Sequence, residues 1–176
     1  MLSPQLQQLV KPLEFRARII WAVMTWSVVI YGIIPALMTN PVPSPLGQSM
    51  PALFMCVAAA ITILSLIIWN YYNSDRFIDW ALHKLAQPSK GENETLKTLT
   101  PVERKLYTLA QTSLVPIIVV LALNESVAIC GVIPALEAQS VNTFLPYGTV
   151  AILLNLLMFP KFAARLERAR NLVREF

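Results

Sequence analysis

Glu125 is the residue of this sequence whose surroundings most demand chemistry. It sits near the middle of an apolar run from Leu114 to Leu136, with Asn124 and Ser126 on either side. A run of that length crosses a bilayer as a helix. A carboxyl group at membrane depth is costly and marks a functional site by default. No other Asp or Glu, and no Lys, Arg or His, falls inside any apolar run. With no cation in the runs, Glu125 is expected to be protonated at rest or to bind a cation. The polar groups that could share a proton or ion with it are Asn124, Ser126, Thr25, Ser27 and Tyr31, with Thr62, Ser65 and Asn155 as further candidates. The plainer alternative is a neutral Glu125 that bonds across helices and fixes their packing. Such bonds contribute about 1 kcal/mol or less in membranes.

The elements that must hold Glu125 follow from the blocks of composition. The chain has 176 residues, 56% hydrophobic and 14% charged, where a soluble domain carries about 25% charged residues. The apolar residues gather in four runs: Ile19 to Met38, Pro51 to Trp69, Leu114 to Leu136 and Phe144 to Pro160. Lipid offers backbone groups no partners, so each run is expected to span as a helix. The predicted fold is all-α, a polytopic membrane protein with four transmembrane helices. The segments are a cytoplasmic lead-in (1–18), a first hairpin (19–72), a cytoplasmic loop with a surface helix (73–112), a second hairpin (113–160) and a basic amphipathic tail (161–176). Short turns at Thr39 to Gln48 and Glu137 to Thr143 close the hairpins. Pro4, Pro12 and Glu14, with no short apolar core, argue against a signal peptide in the first 18 residues. Cys56 and Cys130 both fall in apolar runs and read as small buried groups, with neither a disulfide nor a metal implied.

The basic residues set the orientation. Three precede the first run, six lie between the second and third, and five follow the fourth, which accounts for all fourteen. Under the positive-inside rule both termini and the long loop face the cytoplasm. The expected location is integral to a membrane, a bacterial inner (plasma) membrane by this reading. Outside the runs, Ile78, Ala81, Leu82 and Leu85 recur at helical spacing from Asp75 to Gln87, which predicts an amphipathic surface helix. Thr100-Pro101-Val102-Glu103 fits a capping box that starts another helix. In the tail, Phe162, Leu166, Ala169, Val173 and Phe176 form one stripe, with Arg165, Arg168, Arg170 and Arg174 around it. These arginines are candidates for anionic lipid headgroups or for a cytosolic partner.

An internal repeat is visible. Tyr31-Gly32-Ile33-Ile34-Pro35-Ala36-Leu37 matches Cys130-Gly131-Val132-Ile133-Pro134-Ala135-Leu136, and Leu2-Ser3-Pro4 resembles Leu99-Thr100-Pro101. The chain reads as two copies of one helical hairpin, with Gly32 and Gly131 as equivalent packing positions and Trp26 standing where the second copy has Glu125.

The stretch from Glu125 to Leu136 resembles the ion-carrying helix of rotary-ATPase proteolipids, the c or K subunits. That helix has a Glu followed by an aromatic-Gly pair and an aliphatic stretch. Gly131 keeps the spacing, Cys130 occupies the aromatic position, and Tyr31-Gly32 keeps the aromatic in the first copy. The resemblance implies a proton or sodium ion carried on Glu125 within an oligomer. The chain departs from that family in its few glycines and in placing the acid on the first helix of its hairpin. No metal-ligand cluster, nucleophile with a base, or phosphate loop is present, so neither catalysis nor a cofactor is expected. The basic residues follow the membrane rule, which argues against nucleic acid. The expected partners are membrane lipids and either further copies of the chain or a larger membrane complex. In the second case the chain would be a non-catalytic accessory subunit.

Overall fold

The computed structural model describes residues 3–37, 50–84 and 99–174. Among them every regular element is an α-helix: α1 (Pro4–Leu37), α2 (Met50–Tyr72), α3 (Asp75–Lys84), α4 (Pro101–Thr112), α5 (Leu114–Ala138), α6 (Val141–Leu157) and α7 (Phe162–Arg174). The turn expected at 39–48, the link at 88–94, Leu85, Phe176 and the side chains of Val173 and Arg174 lie outside the described residues. Among the described residues three stretches are long and apolar enough to cross a membrane: Pro4–Leu37, Pro51–Tyr72 and Pro101–Ala138. A fourth exists only if α6 and α7 count together as one span. With 17 residues, α6 alone is about 25 Å long, at the lower limit for a bilayer. The chain is therefore an all-helical protein with the helices of an integral membrane protein.

The described residues form two compact units. The first takes in Met1–Arg18, Trp69–Ile117 and Pro160–Phe176. In it α3, α4 and α7 pack against one another. Their buried faces are Phe77, Ile78, Ala81 and Leu82 on α3, Leu106, Leu109 and Ala110 on α4, and Phe162, Leu166 and Ala169 on α7. The tail stripe was expected to rest on lipid headgroups or to dock a cytosolic partner; its residues Phe162, Leu166 and Ala169 are covered by protein of this chain. The lead-in also differs from expectation, because α1 begins at Pro4 instead of near residue 19. Leu6, Val10, Leu13 and Ala17 recur every three or four residues and are all buried. That spacing gives the polar lead-in an apolar face of its own. The Ser3 hydroxyl accepts from the Leu6 amide at 3.2 Å, a helix cap ahead of a proline in the first turn. Thr100 does the same for α4, accepting from the Glu103 amide at 3.3 Å while Glu103 accepts from the Thr100 amide at 2.9 Å.

The second unit takes in Ile19–Ile68 and Ile118–Phe159. Its buried cluster is made largely of small residues around one ring: Val28, Ala58, Ala128, Ala135, Ala151 and Phe144. Small residues let helix backbones approach where hydrocarbon gives no hydrophobic drive. Its outward residues are apolar as well, among them Ile30, Ile33, Leu53, Ile63, Ile67, Leu153 and Leu157. A soluble surface would not carry so continuous an apolar face, and lipid satisfies it. Cys130 is buried as expected, but Cys56 belongs to this outward face. At the end of α5, Gln139 adopts a left-handed backbone with φ 48°. The Ser140 amide donates to Ala135 O and the Gln139 amide to Leu136 O, the Schellman pattern in which glycine is usual.

Candidate functional site

The site lies in the second unit. Glu125 stands midway along α5 and is half-buried. The Tyr31 hydroxyl, on α1, donates to Glu125 Oε1 at 2.7 Å. Of the partners expected from sequence, Tyr31 is the one whose hydrogen bond reaches the carboxyl. Thr25, Ser27 and Ser126 turn their hydroxyls to their own helices, donating to Trp21 O, Met24 O and Ala122 O, each at 2.8 Å. Hydroxyls in helix interiors commonly back-bond in this way. Ser27 also lies within reach of the Tyr31 hydroxyl, so it adjoins the pair through Tyr31.

Asn124 neighbours Glu125 in sequence but serves a different cluster. Its Nδ2 donates to Asn155 Oδ1 at 2.9 Å, and its Oδ1 accepts from the Ser65 hydroxyl at 2.5 Å. The sulfur of Met158 lies 3.3 Å from Asn124 Nδ2. Ser65, Asn124 and Asn155 are wholly buried. The Asn155 carbonyl accepts from Trp21 Nε1 at 2.8 Å, and the edge of Trp21 packs on Phe159. Side chains from α2, α5 and α6 thus meet in one buried polar knot, with α1 bonded to it through Trp21. Asn155 Nδ2 is buried and has no acceptor. Ser65 and Asn155 were candidates for Glu125 itself, and instead they satisfy Asn124. Successive residues on a helix point about 100° apart, so a partner of Asn124 is poorly placed for Glu125. Thr62 lines an apolar cavity of about 430 Å³ beside Ala58, Ala59 and Tyr147.

The two repeat glycines both lie against α6. A Cβ on Gly131 would fall 2.6 Å from the Tyr147 Cβ, and one on Gly32 would fall 2.9 Å from Phe144 Cε1. Phe144 and Tyr147 are less than one turn apart, about 4.5 Å along the helix. Both close approaches therefore occur at nearly one level of α6. Trp26, the counterpart of Glu125 in the repeat, is 67% exposed on the outward face of α1.

The four tail arginines behave differently from one another. Arg165 is buried, contrary to its expected place on the surface. Arg168 donates to Asp75, with Nε 2.7 Å from Oδ1 and Nη2 3.0 Å from Oδ2. Arg170 is half-buried. Sequence reading missed both the burial of Arg165 and the Ser65–Asn124–Asn155 knot. The signal for the knot was present, as Asn124 and Asn155 are amides inside apolar runs. Among the described residues no three His, Cys, Asp or Glu side chains gather as a metal site. In comparisons with family models, curated proteins and solved structures, nothing matches the chain.

Proposed function

We propose that the chain is a small integral membrane subunit that handles a proton or cation at Glu125 within an oligomeric assembly. The observation that carries this reading is the Tyr31 to Glu125 hydrogen bond, made by the one carboxyl group in the middle of an apolar run. A phenol donating to a carboxylate stabilises its charged form without supplying a counter-charge. One carboxyl oxygen is held and the group is half-buried, so an exchanging proton or cation has an approach. The proteolipid-like spacing of Glu125 and Gly131, and the nearly equal level of Gly32 and Gly131 on α6, support the double-hairpin form of the reading. In this reading there are four spans, both termini face the cytoplasm and the membrane is a bacterial inner membrane, as the placement of the basic residues suggests.

Carbodiimide modification tests it. Such reagents attack protonated carboxyls in apolar surroundings, so Glu125 is expected to react faster at low pH, and sodium is expected to protect it if sodium is the ion. Glu125→Gln keeps the shape and hydrogen-bonding capacity but cannot exchange a proton. It should leave expression and assembly intact and abolish ion-coupled activity. Full activity in cells would remove the ion-handling reading.

One observation favours a second reading. The Ser65–Asn124–Asn155 knot shows this unit using buried polar side chains as interhelical ties. Glu125 with Tyr31 would be another such tie, in a non-catalytic accessory subunit of a larger membrane complex. In that case Glu125→Gln changes nothing beyond stability.

A further inference from the structure

Arg165 is the residue of the first unit whose chemistry is left incomplete. It is 9% exposed. Its Nε, Nη1 and Nη2 atoms are all buried, and none has a hydrogen-bond partner. Its guanidinium carbon lies 3.3 Å from the centroid of the Tyr72 ring and 5.4 Å from that of Phe77. A ring below the plane takes the face of the cation. It takes none of the N–H groups, because these point outward in the plane of the guanidinium. Burial pushes the Arg165 guanidinium down to about 10, still far above neutral pH, so the group is charged. A buried charge without a hydrogen-bonded partner is among the costliest arrangements in a protein.

Among the described residues nothing nearby supplies the counter-charge. Arg168 is close enough to Arg165 to oppose its charge, and it already occupies both oxygens of Asp75. The local sum of Arg165, Arg168 and Asp75 is one positive charge, carried by the guanidinium with five idle donors. A planar fork of this kind matches the oxygens of a phosphate, two at a time. Position in the chain points the same way. Tyr72 is the last residue of α2, and Ser113, which adjoins Tyr72, immediately precedes α5. These are the points where apolar sequence gives way to polar sequence, the level at which membranes hold their phosphates.

We propose that Arg165 anchors a binding site for a phosphate group, with Tyr72 and Phe77 fixing the guanidinium so that its N–H edge is presented to the anion. A phospholipid headgroup and free phosphate share this chemistry. Full-length chain, stripped of lipid in mild detergent, distinguishes them. Its thermal unfolding is followed with added phosphatidylglycerol, inorganic phosphate or diacylglycerol, which has acyl chains but no phosphate. Phosphatidylglycerol should raise the unfolding temperature where diacylglycerol does not, and retention of the lipid in native mass spectrometry should fall about tenfold in Arg165→Gln. An equal rise with inorganic phosphate would assign the site to the soluble anion. If Arg165→Gln does not fold, Arg165→Lys keeps the charge and the stem but loses the fork, and should lose about fivefold. Arg168→Gln should keep its affinity within about twofold. The proposal is overturned if no phosphate-bearing probe outperforms diacylglycerol, if the Arg165 variants bind as the wild type does, or if Arg168→Gln loses as much as they do.

Discussion

Glu125 and Tyr31 can be separated by experiment because the donor of their hydrogen bond can be deleted while the carboxyl is left intact. Tyr31→Phe removes the hydroxyl and nothing else. The stability change should be about 0.5–1 kcal/mol, the value of an interhelical hydrogen bond in a membrane, measured by unfolding in mild detergent. Carbodiimide should label Glu125 faster in this variant than in the wild type at the same pH, because the held oxygen is released. An unchanged rate would show that the bond does not limit access. The unusual position of Glu125 was legible in the sequence because a carboxyl group within an apolar run is a one-dimensional signal. Its partner was not legible. Tyr31, Thr25, Ser27 and Ser126 are equally plausible on paper, and the last three are lost to back-bonding within their own helices. Arg165 and Arg168 likewise look alike in sequence, yet one is buried on an aromatic ring and the other pairs with Asp75 at the surface.

Between elements, close approach and polar ties make separate predictions. Gly131→Ala would set its new methyl against the Tyr147 Cβ, an atom fixed by the α6 backbone, so α5 or α6 must shift. A loss of about 1–3 kcal/mol is expected, beyond the roughly 1 kcal/mol that alanine gains over glycine in a helix. Gly32→Ala meets ring atoms of the buried Phe144 and no atom fixed by the backbone, and should cost less than Gly131→Ala. Equal losses at the two sites would contradict this difference. Asn124→Leu leaves Asn155 Oδ1 buried and unpaired and the Ser65 hydroxyl with only the Met158 sulfur at 3.7 Å, at a cost of about 1–3 kcal/mol. Adding Asn155→Leu should cost less than the sum of the single changes, because the two residues share one network. At α4, the hydroxyl of Ser3 and then the Thr100 amide and hydroxyl hold the Glu103 carboxyl below its usual range. The cap therefore contributes fully above that range and fades as pH falls through the lowered value. Glu103→Gln should flatten the acid limb of the stability curve, which circular dichroism would follow.

At the scale of the molecule, topology is the first thing to measure. Cysteines placed at Ser44 and Gln139 should label from outside intact cells, and one at Lys90 should not. Label at Lys90 alone would reverse the orientation. The apolar runs were readable because hydrocarbon imposes length and composition on any helix that crosses it. The first unit was less readable. Each of its helices has a short apolar face, and periodicity alone does not distinguish a face meant for lipid from one meant for a neighbouring helix. α3 and α7 were therefore expected on the membrane surface, although protein covers their apolar faces.

The way the first unit is drawn from the chain sets an order of events during synthesis. Its residues come from three separated stretches, and α3 and α4 both pack on α7, which the ribosome makes after them. Ser3 reaches its partner Glu103 only once about a hundred further residues have been added. Hydrophobic stretches will thus be translocated into the bilayer while Leu6, Ile78 and Leu106 still lack their cover. Contacts between such distant stretches form slowly, and exposed apolar faces invite aggregation or chaperone capture in the meantime. Nascent chains arrested before residue 160 should be cut by protease within α3 and α4, and chains released after α7 should resist at the same sites.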